Sequence, residues 1–490
     1  MATYYFRNVG TNWGDAANWS LTDGGGATGV VPLATDDAIF TNNSGNCTVN
    51  TSNRVCQTLN FNGGTGYTNT ITFTFNISVG GAITLGASMV FAGAASLRYV
   101  GIANSTFTSN GKEVGVPFEI AAATNNHTIT YADNWTFGEN FTIQSGTATI
   151  MTFTGNTLNC KKSLLNNNST TNRLVGGTTQ IIMIGTGSIG STSSVNVNIG
   201  LNVTINTAGS YTFNTFVWGY LGNNTLTYSA GTITVAVGTT LFLISLTSNP
   251  HTLNLNGIDF ENIQVSGGLN LSPTITLTSN LKCKTLIKPD SNSPTFNGNT
   301  LFLTSFSNAF NVGSSIFGST IFYFNCWSGN GSLIAPNYSM STTIIDITNG
   351  NTLTLSTNLT GSLTHLQGTI FITNLSLSNS CTLNLLPNDI IQSLTFNGAT
   401  NTNTLQSNIT ALNVLTIVNA TFAVIINGVG FSLTVLNTLN FGHRTLNGTA
   451  KLILADNVNA FFNMSNFSLA CVLIEVEINS NGVVTFNSNC

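Results

Sequence analysis

The chain has 490 residues, yet only 6% of them are Asp, Glu, Lys or Arg, against about a quarter in an ordinary soluble domain. A net charge of −4 with 31 phenylalanines excludes a disordered chain, and 12 cations exclude the basic face that a nucleic-acid binder needs. Hydrophobic residues make up 42%, while roughly one residue in seven is Asn and one in six Thr, which leaves a β-rich, neutral protein with an Asn/Thr/Ser surface.

The opening residues, Met1 to Asn8, lack a basic stretch followed by an apolar one, so no secretory signal is expected. Long uncharged runs, such as 80–97 and 405–441, are broken every two or three residues by Gly, Ser, Thr or Asn. No membrane span is expected from them. Trp13 and Trp19 come first, then the loop Gly24-Gly25-Gly26, then Pro32 and the pair Asp36-Asp37 ahead of Ala38-Ile39-Phe40. Bulky Trp side chains before the first alternating strand suit the covering of an open first rung. Residues 1–60 are therefore read as a capping and attachment segment, with Trp13, Trp19, Pro32, Asp36 and Asp37 as its key residues.

From residue 61 to 470 the dominant signal is period-two alternation. Ile71, Phe73, Phe75, Ile77 and Val79 share one face of 70–79, and the same pattern recurs at Thr252 to Asn256, Thr274 to Thr278, Thr352 to Ser356 and Thr382 to Leu385. The runs end at Gly or Asn, residues that tolerate the backbone of tight turns. No stretch of ten residues combines a helical period with good helix formers. A strand-and-turn unit also repeats: Met151-Thr152-Phe153-Thr154-Gly155, Pro294-Thr295-Phe296-Asn297-Gly298 and Leu394-Thr395-Phe396-Asn397-Gly398. The fold predicted is all-β, an irregular parallel β-helix with coils of roughly 20–25 residues, in which like polar side chains stack from coil to coil. Tandem β-sandwich domains are the alternative. Residues 471–490 are read as closing strands.

The order W-x5-W-S, a Gly-rich loop and then P-x3-D-D resembles the opening segment of repetitive β-helical proteins from phage virions and bacterial surfaces. The resemblance covers about residues 4–60, and the Asn/Thr/Gly-rich repeats continue its character to the end. It implies a virion structural protein (fibre, spike or capsid-decoration subunit) that assembles in the host cytoplasm. Its partners would be other virion proteins, further copies of itself and host surface glycans, with no nucleic acid or membrane. A bacterial extracellular adhesin or filament subunit is the alternative location and role.

Candidate chemistry is sparse. Adjacent residues on a strand point to opposite faces, so the Asp36 and Asp37 carboxyls should diverge and serve a turn. Glu475 and Glu477 share a face, either as a glycosidase-type pair or as a charged patch that blunts a strand edge. Asp133 and Glu139 flank Trp135, which is a possible sugar platform. A polysaccharide-degrading spike would use one of these two pairs. The four histidines lie more than 70 residues apart with no nucleophile beside them, and neither a phosphate loop nor a dinucleotide fingerprint occurs. Eight cysteines show no CxxC spacing. Free thiols in a β core are expected, with a Cys47–Cys56 bridge left open. No cofactor and no metal are expected.

Overall fold

The computed structural model describes residues 1–121, 127–143, 150–166, 173–175, 177–190, 198–214, 216–218, 224–245, 251–255, 257–267, 274–288, 295–308, 320–326, 330–347, 351–377, 381–387, 389–397, 401–418, 424–441, 445–456, 459–463, 471–480 and 484–487. The chain is all-β, 62% strand and 1% helical, and it winds as a parallel β-solenoid. It divides into two compact units, Met1–Ile258 and Asp259–Cys490.

Up to about residue 190 of the first unit the coils contribute three short strands each, and beyond it two of these merge into 12-residue strands, Asn202–Phe213 and Asn224–Val235. One such coil runs through Ser105–Thr108, Glu113–Val114 and Phe118–Ile120, and the next through His127–Tyr131, Trp135–Phe137 and Phe141–Ile143. Each strand pairs in parallel with its counterpart one coil on. Alternation puts every second side chain inside, and the parallel register stacks it on its equivalent. Leu97, Phe118, Phe141 and Leu164 form one such ladder, and Trp135, Leu158, Ile181, Val203, Leu226 and Leu253 form another. All of them are buried.

The second unit follows the same rule with longer strands, such as Gly331–Asp346 and Thr352–Gln367, which turn corners at register shifts. Cys283, Leu303, Phe324, Ile345 and His365 stack through its interior. The sandwich alternative is excluded by these pairings, because a sandwich needs antiparallel neighbours. Among the described residues the one antiparallel ladder joins Thr3–Phe6 to Trp19–Ser20.

The unusual asparagine content has a structural cause. Asn53, Asn104, Asn134, Asn202, Asn330 and Asn408 each accept, through Oδ1, the backbone N–H of a residue 22 to 24 positions later, one coil away. A second set works in the opposite sense. Asn110, Asn156, Asn299 and Asn351 donate from Nδ2 to a backbone carbonyl of the preceding coil, 22 to 25 positions earlier. Corners of a solenoid leave backbone groups outside the strand ladders, and the amide side chain supplies both a donor and an acceptor to satisfy them. Threonines also stack on the outer walls: Thr106, Thr130 and Thr154 are register partners, and the hydroxyls of the last two lie 3.1 Å apart.

The recurrent glycine after each phenylalanine is likewise a matter of fit. Gly155 (φ 101°) and Gly298 (φ 95°) lie in the left-handed region, where a Cβ would approach the carbonyl oxygens of Tyr131 and Leu277 to 2.1 and 2.2 Å. Cys47, Cys56, Cys160, Cys283, Cys326 and Cys381 are free and buried. Burial pushes the Cys160 thiol up to about 12.

Candidate functional site

At the amino-terminal end, Thr3–Phe6 pairs in parallel with Asp37–Thr41, which in turn pairs with Thr58–Gly63. The connecting segment crosses to the next wall, where Asn12 bridges Thr48 and the Trp13 N–H donates to the Thr48 carbonyl at 3.0 Å. A single 3-10 turn, Ala16–Asn18, sits here. The sequence shows no helical period for it; the turn is set locally by Asp15, whose side chain accepts from the Ala17 N–H.

Trp13 and Trp19 are fully buried and meet edge to face at 5.0 Å between ring centres. They close an aromatic cluster with Phe6 and Phe40, which continues through Phe61 and Tyr67. The Trp19 indole N–H donates to the Trp13 carbonyl at 2.8 Å.

Asp36 and Asp37 diverge. Asp36 is buried and accepts the backbone N–H groups of Ala2 and Leu33, closing the turn that follows buried Pro32. Asp37 accepts the hydroxyls of Thr3 and Thr58 from the coils on either side. The boundary read at residue 60 falls within the strand Thr58–Gly63, inside the first compact unit.

The platform read at Trp135 is overturned. Its strand carries Trp135 and Phe137 inward, so the ring is fully buried among Phe107, Phe118, Tyr131 and Phe137. Asp133 spends both oxygens on the Ser109 and Asn110 N–H groups, at 2.7 and 2.6 Å, and fixes the turn in which Asn110 takes a left-handed backbone. Glu139 pairs with Lys162 at 2.5 Å. The two carboxylates are thus committed to different neighbours.

Glu475 and Glu477 lie on Cys471–Ser480, beside Thr445–Asp456, with Glu475 facing Lys451 and Glu477 facing Ile453 in register. The Lys451 ammonium sits between the two carboxylates, 2.8 Å from Glu475 and in direct contact with Glu477, which also accepts from the Asn479 amide. The hydrogen bonds it donates to Glu475 and Glu477 hold the lysine well above its ordinary range, and the bond from Lys451, then that from Asn479, holds Glu477 below the usual carboxylate range. This is the reverse of what a proton-donating glycosidase acid requires, namely a carboxyl kept protonated by its surroundings. The triad opens into a cleft of about 350 Å³ whose lining includes Asn408, Phe431, Ser432 and Thr449.

Lys451 is the residue that strand-by-strand reading misses. The signal for it is coil spacing. Lys162 reaches back to Glu139 and Lys284 to Glu261, each 23 positions earlier, and Lys161 reaches Glu113, 48 positions and two coils earlier. Arg98 pairs with Glu119 in register on the next coil. Inside the second unit, buried His365 bonds through Nδ1 to Asp389 at 2.6 Å. His443 lies outside the described residues.

Among the described residues, no cluster of three or more His, Cys, Asp or Glu is placed to hold a metal ion, and no helix is long and apolar enough to cross a membrane. Comparison with protein-family models, curated proteins and solved structures yields no match.

Proposed function

We propose that the chain is a structural subunit of a virus particle, a fibre, spike or capsid-decoration protein that presents a rigid, nearly uncharged β surface for assembly or host attachment. The observation that carries this reading is the rung-to-rung closure of the walls. Asparagine amides, threonine hydroxyls and lysine–glutamate pairs bond from coil to coil, so much of the polar surface is spent on cohesion. Such a wall resists local opening and proteolysis, as a component exposed outside a cell must. The aromatic cluster of Trp13, Trp19, Phe6 and Phe40 supports the assignment of the first sixty residues as cap and attachment segment, because it packs bulky rings over the interior beside the first strands.

The test is fractionation. Host cells producing the particle are lysed, particles are banded on a density gradient, and the protein is quantified by mass spectrometry. The proposal expects the chain to band with the capsid proteins in a fixed copy number. Recovery in the bacterial envelope or culture supernatant, apart from particles, would overturn it in favour of an adhesin or filament subunit.

A further inference from the structure

We propose that the cleft over Lys451, Glu475 and Glu477 is a non-hydrolytic binding subsite for a neutral pyranose oligosaccharide. The inference deepens, and rests on, the reading of the chain as an exposed particle subunit, since it names the class of host partner.

The cleft is built from stacked outward side chains of successive coils. Ser432, Lys451 and Glu475 follow one another in register, Asn408 accepts the Ser432 N–H, and Ile453 and Glu477 form the adjacent column. Its volume, about 350 Å³, lies at the lower end of the range of small-molecule sites, ~300–1,000 Å³.

Three features select the ligand. First, the ammonium pairs with both carboxylates, and a carboxylate is an acceptor with room for about four bonds, so Glu475, 70% exposed, can take vicinal hydroxyls beyond its lysine bond. Second, the ammonium already occupies the position between the carboxylates that a divalent cation would need, so the cleft does not favour metal. Third, two carboxylates against one ammonium leave the site net negative, which disfavours uronic or sialic acids. Phe431 gives the lining an apolar face of the kind that the C–H face of a pyranose ring covers. Because the Lys451 ammonium engages both carboxylates, neither is placed as a proton-donating acid, and the sugar is bound and not cleaved.

The test uses the full chain and a defined panel: neutral gluco-, manno- and galacto-configured tetrasaccharides, with a hyaluronan tetrasaccharide as the anionic control. Saturation-transfer NMR should detect at least one neutral tetrasaccharide, and the hyaluronan probe should give no transfer. Glu475→Gln with Glu477→Gln should weaken binding by about tenfold or more, as loss of charged hydrogen bonds does. Phe431→Ala should weaken it as well, and circular dichroism and melting temperature should match the parent for each variant. Silence from every neutral probe, binding of hyaluronan equal to that of the neutral probes, or undiminished binding by both variants would overturn the proposal. Those outcomes would leave the particle assignment standing, because banding with capsid proteins is read independently of sugar binding.

Discussion

Replacing Trp13 and Trp19 together by Ala removes two fully buried rings that touch each other and also Phe40, at 5.5 and 5.8 Å between centres. A single buried Trp→Ala change costs about 3–5 kcal/mol. The two sites share one cavity and one indole-to-carbonyl hydrogen bond, so their losses are not additive, and a combined cost of about 5–8 kcal/mol is expected. That is comparable to the whole stability of an ordinary domain, ~5–15 kcal/mol. In a stacked array, however, the loss falls on the nearest coils, because each coil is held chiefly by its neighbours. The double variant should therefore fray through the first hundred or so residues while the rest stays folded. Limited proteolysis with mass-spectrometric mapping reads this directly: early cleavage should concentrate before Arg98, and hydrogen exchange should accelerate in Thr3–Phe6 and Asp37–Thr41. Light scattering should also show association through the uncovered strand edge. Digestion no faster than the parent's in this region, with a monodisperse sample, would refute the capping argument.

Burial lowers the His251 pKa from 6.5 to about 4, so the folded chain keeps the ring neutral while the unfolded chain takes a proton below pH 6.5. Its contribution is therefore complete above pH 6.5 and lost between 6.5 and 4, by about 3 kcal/mol, and His251→Leu should flatten that part of the urea-midpoint profile. Asn156→Asp puts an acceptor against the Tyr131 carbonyl and should cost about 1–3 kcal/mol, whereas Asn134→Asp keeps the oxygen that accepts the Thr157 N–H and should be nearly neutral. Chemical denaturation of the two variants separates these cases, and equal costs would show that the amide ladder is incidental. The cross-coil ion pairs are partly exposed and worth at most about 1 kcal/mol each, so added NaCl should move the melting temperature little. A large loss would show that they matter more.

Much of the fold is legible in the sequence through period-two alternation: Ile71 and Phe73 are inside with Thr70 and Thr72 outward, although Phe75 of the same run lies past the strand end and is exposed. Turn exits are legible too, in the repeated Phe-x-Gly at Gly155 and Gly298, whose backbone admits no side chain. The division into two units is not, since no composition shift or linker marks Ile258. At the candidate sites, adjacency in sequence misleads. Asp133, Trp135 and Glu139 look like a constellation, but a solenoid brings together residues one coil apart, so Asp133 meets Ser109 and Glu139 meets Lys162. The same rule explains why Glu475 and Glu477 are incomplete without Lys451.

The parallel, coil-on-coil register is the claim on which everything else depends, and an engineered disulfide tests it most directly. Thr106 and Thr130 are exposed register partners on neighbouring parallel strands. Their Cα atoms should be about 5 Å apart, within the ~4.4–6.8 Å span that a disulfide bridges. Thr106→Cys with Thr130→Cys should form an intramolecular bridge rapidly in air without loss of structure. Thr106→Cys with Thr136→Cys, whose second site lies on another wall, should remain reduced. A first pair that stays reduced, or a second that bridges as readily, would contradict the solenoid register.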